Sequence, residues 1–122
     1  MTASILTVDD SASIRATIKI ALSGAGYSVA EAENGAVGIS KANAGSFDLI
    51  ITDLNMPVMD GLTMIEELRK LPAHTGVPII FLTTESDDGM KQRAKAAGAT
   101  GWLTKPFDPE QLVRITRKVL GR

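Results

Sequence analysis

Cysteine is absent from the 122-residue chain, which excludes disulfide frameworks and thiolate-bound metals and fits a reducing compartment. An excess of one charge is also missing. Thirteen basic residues stand against fourteen acidic ones, for a formal net charge of −1, so the chain carries neither the electrostatic footprint of a nucleic-acid binder nor a polybasic membrane patch. No apolar run reaches the roughly 18 residues of a membrane span, and the opening MTASILTVDD lacks the basic start and long apolar core of a secretory signal. These absences predict a cytoplasmic protein that meets other proteins or small ions, with no nucleic acid and no membrane as partner. Histidine is scarce as well: His74 is the sole one, in the loop from Pro72 to Gly76, where it has no acidic or Cys neighbour and reads as a solvated residue. Linkers, repeats and low-complexity stretches are missing too, so residues 1–122 are expected to form one monomeric domain, long enough to bury about two-thirds of its unfolded surface without staples.

What is present is an alternation. Short apolar runs at Ile5–Val8, Ser28–Ala32, Leu49–Thr52, Pro78–Leu82 and Gly101–Leu103 are separated by helical patterns, which argues a parallel sheet covered on both faces, an α/β fold built as one (βα)5 unit. Ile14, Ile18, Ala21 and Leu22 form the first helical stripe, with Arg15 and Lys19 on another face and Gly24 and Gly26 as a stop. The second pattern, from Gly35 to Ala44, rests on Val37 and Ile39. Leu62, Ile65 and Leu68 define a third helix with Asp60 as N-cap, closed before Pro72. The fourth, after Ser86, is alanine-rich and offers only Met90, Ala94 and Ala97 as a stripe, so it is expected to be loosely anchored. In the fifth, Asp108 caps, Pro109 takes the first helical position, and Leu112, Ile115, Thr116 and Val119 face inward. Met56, Met59 and Met64 read as turn and core packing, and Phe107 as a core residue.

Parallel strands share one C-terminal edge, and the polar residues after each strand converge there. Asp9-Asp10 follow the first, Asp53 the third, Thr83-Thr84-Glu85 the fourth and Thr104-Lys105 the fifth. At about 5 Å and an effective dielectric near 20, each pair of carboxylates repels by roughly 3 kcal/mol. Something positive must sit among them. Lys105 neutralises one charge, and oxygen-only donors with few carboxylates suit Mg²⁺ for the rest.

Together VDD at Val8 to Asp10, DLNMPVMDG from Asp53 to Gly61, Thr83 and KPF at Lys105 to Phe107 closely resemble the receiver domain of two-component response regulators. The resemblance covers the whole chain. It implies the three-layer flavodoxin-like fold with strand order 2-1-3-4-5, and a phosphoryl group accepted from a histidine kinase. It makes Asp53 the phosphoacceptor, Asp10 and Asp53 direct Mg²⁺ ligands, Asp9 a ligand through water, and the Asn55 backbone carbonyl the remaining protein ligand. Thr83 and Lys105 then hold phosphoryl oxygens, Asn55 and Glu85 tune the lifetime of the label, and the Lys105-Pro106 bond is cis.

The resemblance also implies a switch in which Thr83 moves toward the phosphoryl group and Trp102, where many members carry Tyr or Phe, swings inward. The output surface is then the fourth helix, fifth strand and fifth helix, including Lys91, Lys95 and Trp102. The arrangement looks like the stand-alone CheY type of chemotaxis regulator, which binds the flagellar motor switch; a phosphatase is another downstream partner of that kind. Such a protein is not an enzyme beyond catalysing its own phosphorylation and dephosphorylation, and no cofactor besides the ion is implied. A phosphorelay shuttle or a phosphate sink for a kinase is the alternative. A Mg²⁺-dependent phosphatase working through an aspartyl phosphate is more remote, because its D-x-D motif is replaced here by adjacent Asp9-Asp10. A flavodoxin is disfavoured because those two carboxylates repel a phosphate in the first loop.

Overall fold

The computed structural model describes residues 3–53, 61–71, 76–83 and 88–121. Asn55, Met56, Met59, Asp60, His74, Thr84 and Glu85 lie outside the described residues, and with them the readings placed on these positions. The elements run β1 Ser4–Val8, α1 Ala12–Gly24, β2 Ser28–Ala32, α2 Gly35–Ala44, β3 Leu49–Asp53, α3 Gly61–Lys70, β4 Ile79–Thr83, α4 Asp88–Ala97, β5 Gly101–Thr104 and α5 Pro109–Leu120. All strand pairs are parallel, in the order β2-β1-β3-β4-β5. The expected three-layer (βα)5 architecture is the observed one.

Side-chain alternation sorts the sheet residues into two cores. Leu6, Val8, Ile50 and Ile79 pack on one face with Ala42 from α2 and Met64, Ile65 and Leu68 from α3. Ile5, Leu49, Ile51, Ile80, Leu82 and Leu103 pack on the other with Ile18 and Leu22 from α1 and Leu112 from α5. Every residue of β3 and β4 is buried, as strands covered on both faces must be. Phe107 is only partly buried, on the edge of the second core.

Helix ends follow local chemistry. Ser11 caps α1 by accepting from the Ile14 amide, and Asp108 caps α5 by accepting from the Glu110 amide at 3.0 Å. Between α1 and β2 the left-handed position belongs to Gly26, at φ 96°. In α2, which spans the expected Gly35–Ala44, Val37 and Ile39 are half-buried and pack on the first core, but the fully buried positions are Gly35, Gly38 and Ala42. Close approach is the reason, since a Cβ on Gly38 would stand 3.0 Å from Met64 Sδ and 3.1 Å from Val8 Cγ2. A helix packed through missing side chains has no apolar stripe to read.

Among its described side chains α4 buries Ala94 against Phe81 and packs Ala97 on the first core, and just beyond it Arg69 of α3 donates to the Val77 carbonyl at 2.6 Å and to the Gly98 carbonyl. Burial lowers the pKa of this guanidinium from its ordinary value. Gly98 has φ 115°, and a Cβ there would approach Arg69 Nε to 2.6 Å, so both backbone and space demand glycine.

Candidate functional site

The chain turns outward from β1 to β2 and then returns to β3, so a crevice opens between β1 and β3 at the C-terminal edge. The register pairs Val8 with Thr52, and one step further places Asp9 beside Asp53. Both are buried, at 0% and 6% exposure, whereas Asp10, at the mouth of the crevice, is exposed. Carboxylate oxygens of Asp9, Asp10 and Asp53 all lie within 4.8 Å of one another.

Lys105 enters from the end of β5. Its amide donates to the Thr83 carbonyl at 2.8 Å, which ties the β5 exit to the end of β4. The Lys105-Pro106 bond is cis, as expected. Its Nζ stands 3.0 Å from Asp9 Oδ2 and 3.4 Å from Asp53 Oδ1, so one ammonium bridges two buried carboxylates rather than neutralising one. Thr83 is fully buried at the end of β4, beside Thr104 in register.

Every polar atom of Asp9 is engaged. Its amide donates to the Ala32 carbonyl at 3.1 Å, its carbonyl accepts from Arg15 Nη1 at 2.6 Å, Oδ1 accepts from the Ser11 amide at 2.9 Å and Oδ2 accepts from Lys105. Among the described residues, no hydrogen bond or ion pair holds the Asp10 carboxylate. The pair therefore divides into a fixed acid and a free one, and sequence reading had no signal for which was which. It also missed Arg15, treated there as part of a polar helix face.

The donor set fits a hard divalent cation. Three carboxylates converge with neither His nor Cys among them, and carboxylate oxygen is the ligand of choice for Mg²⁺ and Ca²⁺ rather than for softer metals. A receiver-type acidic pocket is thus in place at the switch point of the sheet.

The family model of the response regulator receiver domain matches residues 5–117. The chain belongs to this family. Among curated relatives, the receiver is 39% identical to chemotaxis protein CheY1 of Helicobacter pylori, over 96% of both chains. It is 34% identical, over 100% of its length, to the probable transcriptional regulator ycf29 of Porphyra purpurea, of which it spans only 58%. Among solved structures, Vibrio cholerae CheY4 superposes with a TM-score of 0.95 at 45% identity, covering 98% of the receiver and 100% of CheY4. The receiver domain of the sensor histidine kinase PA1611 from Pseudomonas aeruginosa, solved with a magnesium ion in its active-site cleft, superposes with a TM-score of 0.91 at 30% identity, over 100% of both chains.

The receiver also presents an aromatic ledge. Trp102 is 41% exposed although it pairs in register with fully buried Phe81. The two rings are offset-stacked with centroids 6.3 Å apart, and Lys91 Nζ of α4 lies 4.6 Å from the indole centroid, in cation–π range. Thr83 sits two residues beyond Phe81 on the same side of β4, so Thr83, Phe81 and Trp102 form a short column from the acidic edge to the surface.

Proposed function

We propose that this receiver accepts a phosphoryl group from a histidine kinase on Asp53, with Mg²⁺ bound at Asp9, Asp10 and Asp53, and that the label changes which protein binds its α4, β5 and α5 face. The observation that carries the reading is the Lys105 ammonium lying between Asp9 and Asp53, at 3.0 and 3.4 Å. An Asp53 oxygen attacks phosphorus, the bond from phosphorus to the donor's histidine nitrogen breaks, and the electron pair leaves on that nitrogen. Negative charge on the phosphoryl oxygens is the obstacle, and Lys105 is placed to shift from Asp53 onto those oxygens as they arrive. A divalent cation, which Asp9, Asp10 and Asp53 would hold, would supply further positive charge against the same oxygens. Thr83 then donates its hydroxyl to one of them. The Asp10 carboxylate, together with Asp53, would hold the ion directly, and Asp9, with both oxygens already engaged, would act through water. The family resemblance assigns Asn55 and Glu85, which lie outside the described residues, to the remaining ligand position and to tuning hydrolysis. Catalysis is confined to the chain's own phosphorylation and dephosphorylation.

Chemotaxis is the favoured setting, supported by the likeness to CheY1 and CheY4 over nearly the whole chain. The output partner is then a flagellar motor switch or a phosphatase, and the chemistry of the face favours an acidic segment with an apolar anchor. Phe81, Trp102, Lys91 and Lys95 line a groove of about 250 Å³ there.

The test is direct. Mixed with Mg²⁺ and a small phosphoryl donor, the protein is expected to gain one phosphoryl group that is labile to hydroxylamine and maps to Asp53. No gain, or a label on another residue, sinks the proposal. Trp102 adds a second expectation, since it is the sole tryptophan. Beryllofluoride with Mg²⁺ is expected to alter its emission by changing the Lys91 and Phe81 contacts, and an unchanged spectrum in protein that does bind beryllofluoride removes Trp102 from the switch.

A further inference from the structure

Arg15 lies one turn into α1 with its side chain mostly buried, at 17% exposure. Its guanidinium makes two contacts that belong to different elements. Nη1 donates to the carbonyl of Asp9 at 2.6 Å, and Nε lies 3.3 Å from Glu31 Oε1 near the end of β2. Glu31 is itself held: Lys19 Nζ stands 3.7 Å from Oε2, and Lys41 Nζ of α2 donates to its carbonyl. The Asp9 amide also bonds to the next β2 residue, Ala32. Both ends of the Asp9 backbone are therefore tied to the end of β2, one directly and one through Arg15.

The carbonyl that Arg15 holds is half of the peptide group joining Asp9 to Asp10. Since no contact among the described residues holds the Asp10 carboxylate itself, the orientation of that peptide plane is the backbone constraint on where it can point. We infer that Arg15, braced by Glu31, is a positioning residue for metal binding: it locks the Asp9–Asp10 peptide so that the Asp10 carboxylate stays convergent with Asp9 and Asp53. A planar guanidinium suits this, because it fixes two acceptors in a set relative direction, which an ammonium on a flexible stem does not. The inference rests on the acidic pocket being a Mg²⁺ site.

Charge and positioning predict opposite signs. Removing a cation beside an acidic pocket tightens divalent cation binding if only electrostatics matters. Releasing the peptide plane weakens it, and loss of a group that orients a metal ligand typically costs about 10–100-fold in affinity.

Calorimetric titration of the full chain with Mg²⁺ alone decides between them. Arg15→Met is expected to weaken Mg²⁺ binding roughly 10-fold, and Arg15→Lys, which keeps the charge, is expected to weaken it in the same direction. At saturating Mg²⁺, phosphorylation by a small donor is expected to return to the wild-type rate, because Lys105 and Thr83 are untouched. Unchanged or tighter Mg²⁺ binding by folded Arg15→Met overturns the inference. If that variant fails to fold, Glu31→Gln replaces it: the brace is weakened with little change in volume, and an unchanged Mg²⁺ affinity overturns the inference equally. Wild-type protein that binds no Mg²⁺ overturns the metal reading itself, a different result from wild-type binding that the variants leave unaltered.

Discussion

Replacing Lys105 by methionine is expected to slow phosphoryl transfer to Asp53 by roughly 10²–10³-fold at saturating Mg²⁺, the cost of removing one preorganised charge-stabilising donor. The same substitution is expected to destabilise the metal-free protein by about 3 kcal/mol. Asp9 is fully buried and Asp53 nearly so, and the Lys105 ammonium lies within 4 Å of both. Without it two buried carboxylates face each other uncompensated. The figure sits at the low end for a broken buried pair because the Lys105 side chain keeps 16% exposure and that of Asp53 8%. Methionine preserves most of the apolar stem, so the loss reports the charge rather than packing. Mg²⁺ is expected to restore much of the stability but not the rate. Single-turnover kinetics with a small phosphoryl donor, and urea denaturation with and without Mg²⁺, check the two halves. A wild-type transfer rate contradicts the assigned role of Lys105.

That split between stability and rate follows from the fold. The sheet delivers Asp9 and Asp53 as neighbours because β1 and β3 are paired in register, and burying them side by side is unfavourable by itself. Lys105 offsets that cost in the resting state, from a position that also suits an incoming phosphoryl group. One side chain thus serves folding before the reaction and charge stabilisation during it.

The sheet and its acidic edge were legible because both leave strong local traces. Apolar runs of strand length ended in Asp9, Asp53, Thr83 and Lys105, and parallel topology brings such ends together whatever the loops do. Boundaries shifted by about a residue: β3 runs through Asp53 and β4 from Ile79 to Thr83, since pairing rather than hydrophobicity decides where a strand stops. Arg15 was not legible. A basic residue on the polar side of a helix looks the same in sequence whether it faces water or a backbone carbonyl, and carbonyls have no letter of their own. Gly38 was missed for a related reason, because its contribution is the closeness it permits between α2, Val8 and Met64. Arg69 joins them, since it donates to the backbone carbonyls of Val77 and Gly98. The sequence also could not say which of Asp9 and Asp10 is buried, since either residue can be the one that turns inward where strand alternation ends.

Asp10→Asn is expected to separate the cost of the acidic pocket from its use. In the absence of metal the variant should be more stable than wild type, because a carboxylate within 4.8 Å of two others is neutralised. Exposure of Asp10 screens the repulsion, so the gain is about 1 kcal/mol rather than the roughly 3 kcal/mol of a pair at 5 Å and a dielectric near 20. For a domain of this size that raises Tm by about 3–4 °C. With Mg²⁺ the order should reverse. Binding at 100 times Kd stabilises the wild type by about 2.7 kcal/mol, close to 10 °C in Tm by the same scaling. Loss of a direct ligand should cost at least the roughly 100-fold upper range seen for residues that merely orient one, so the variant gains almost nothing at that concentration. Thermal melts of both proteins across a Mg²⁺ series check this. A variant that melts below wild type without metal refutes the crowded-carboxylate account, and one that gains as much from Mg²⁺ as wild type refutes Asp10 as a ligand. The crossing of the two melting curves is the decisive result, because a packing defect at Asp10 lowers stability at every Mg²⁺ concentration and produces no crossing.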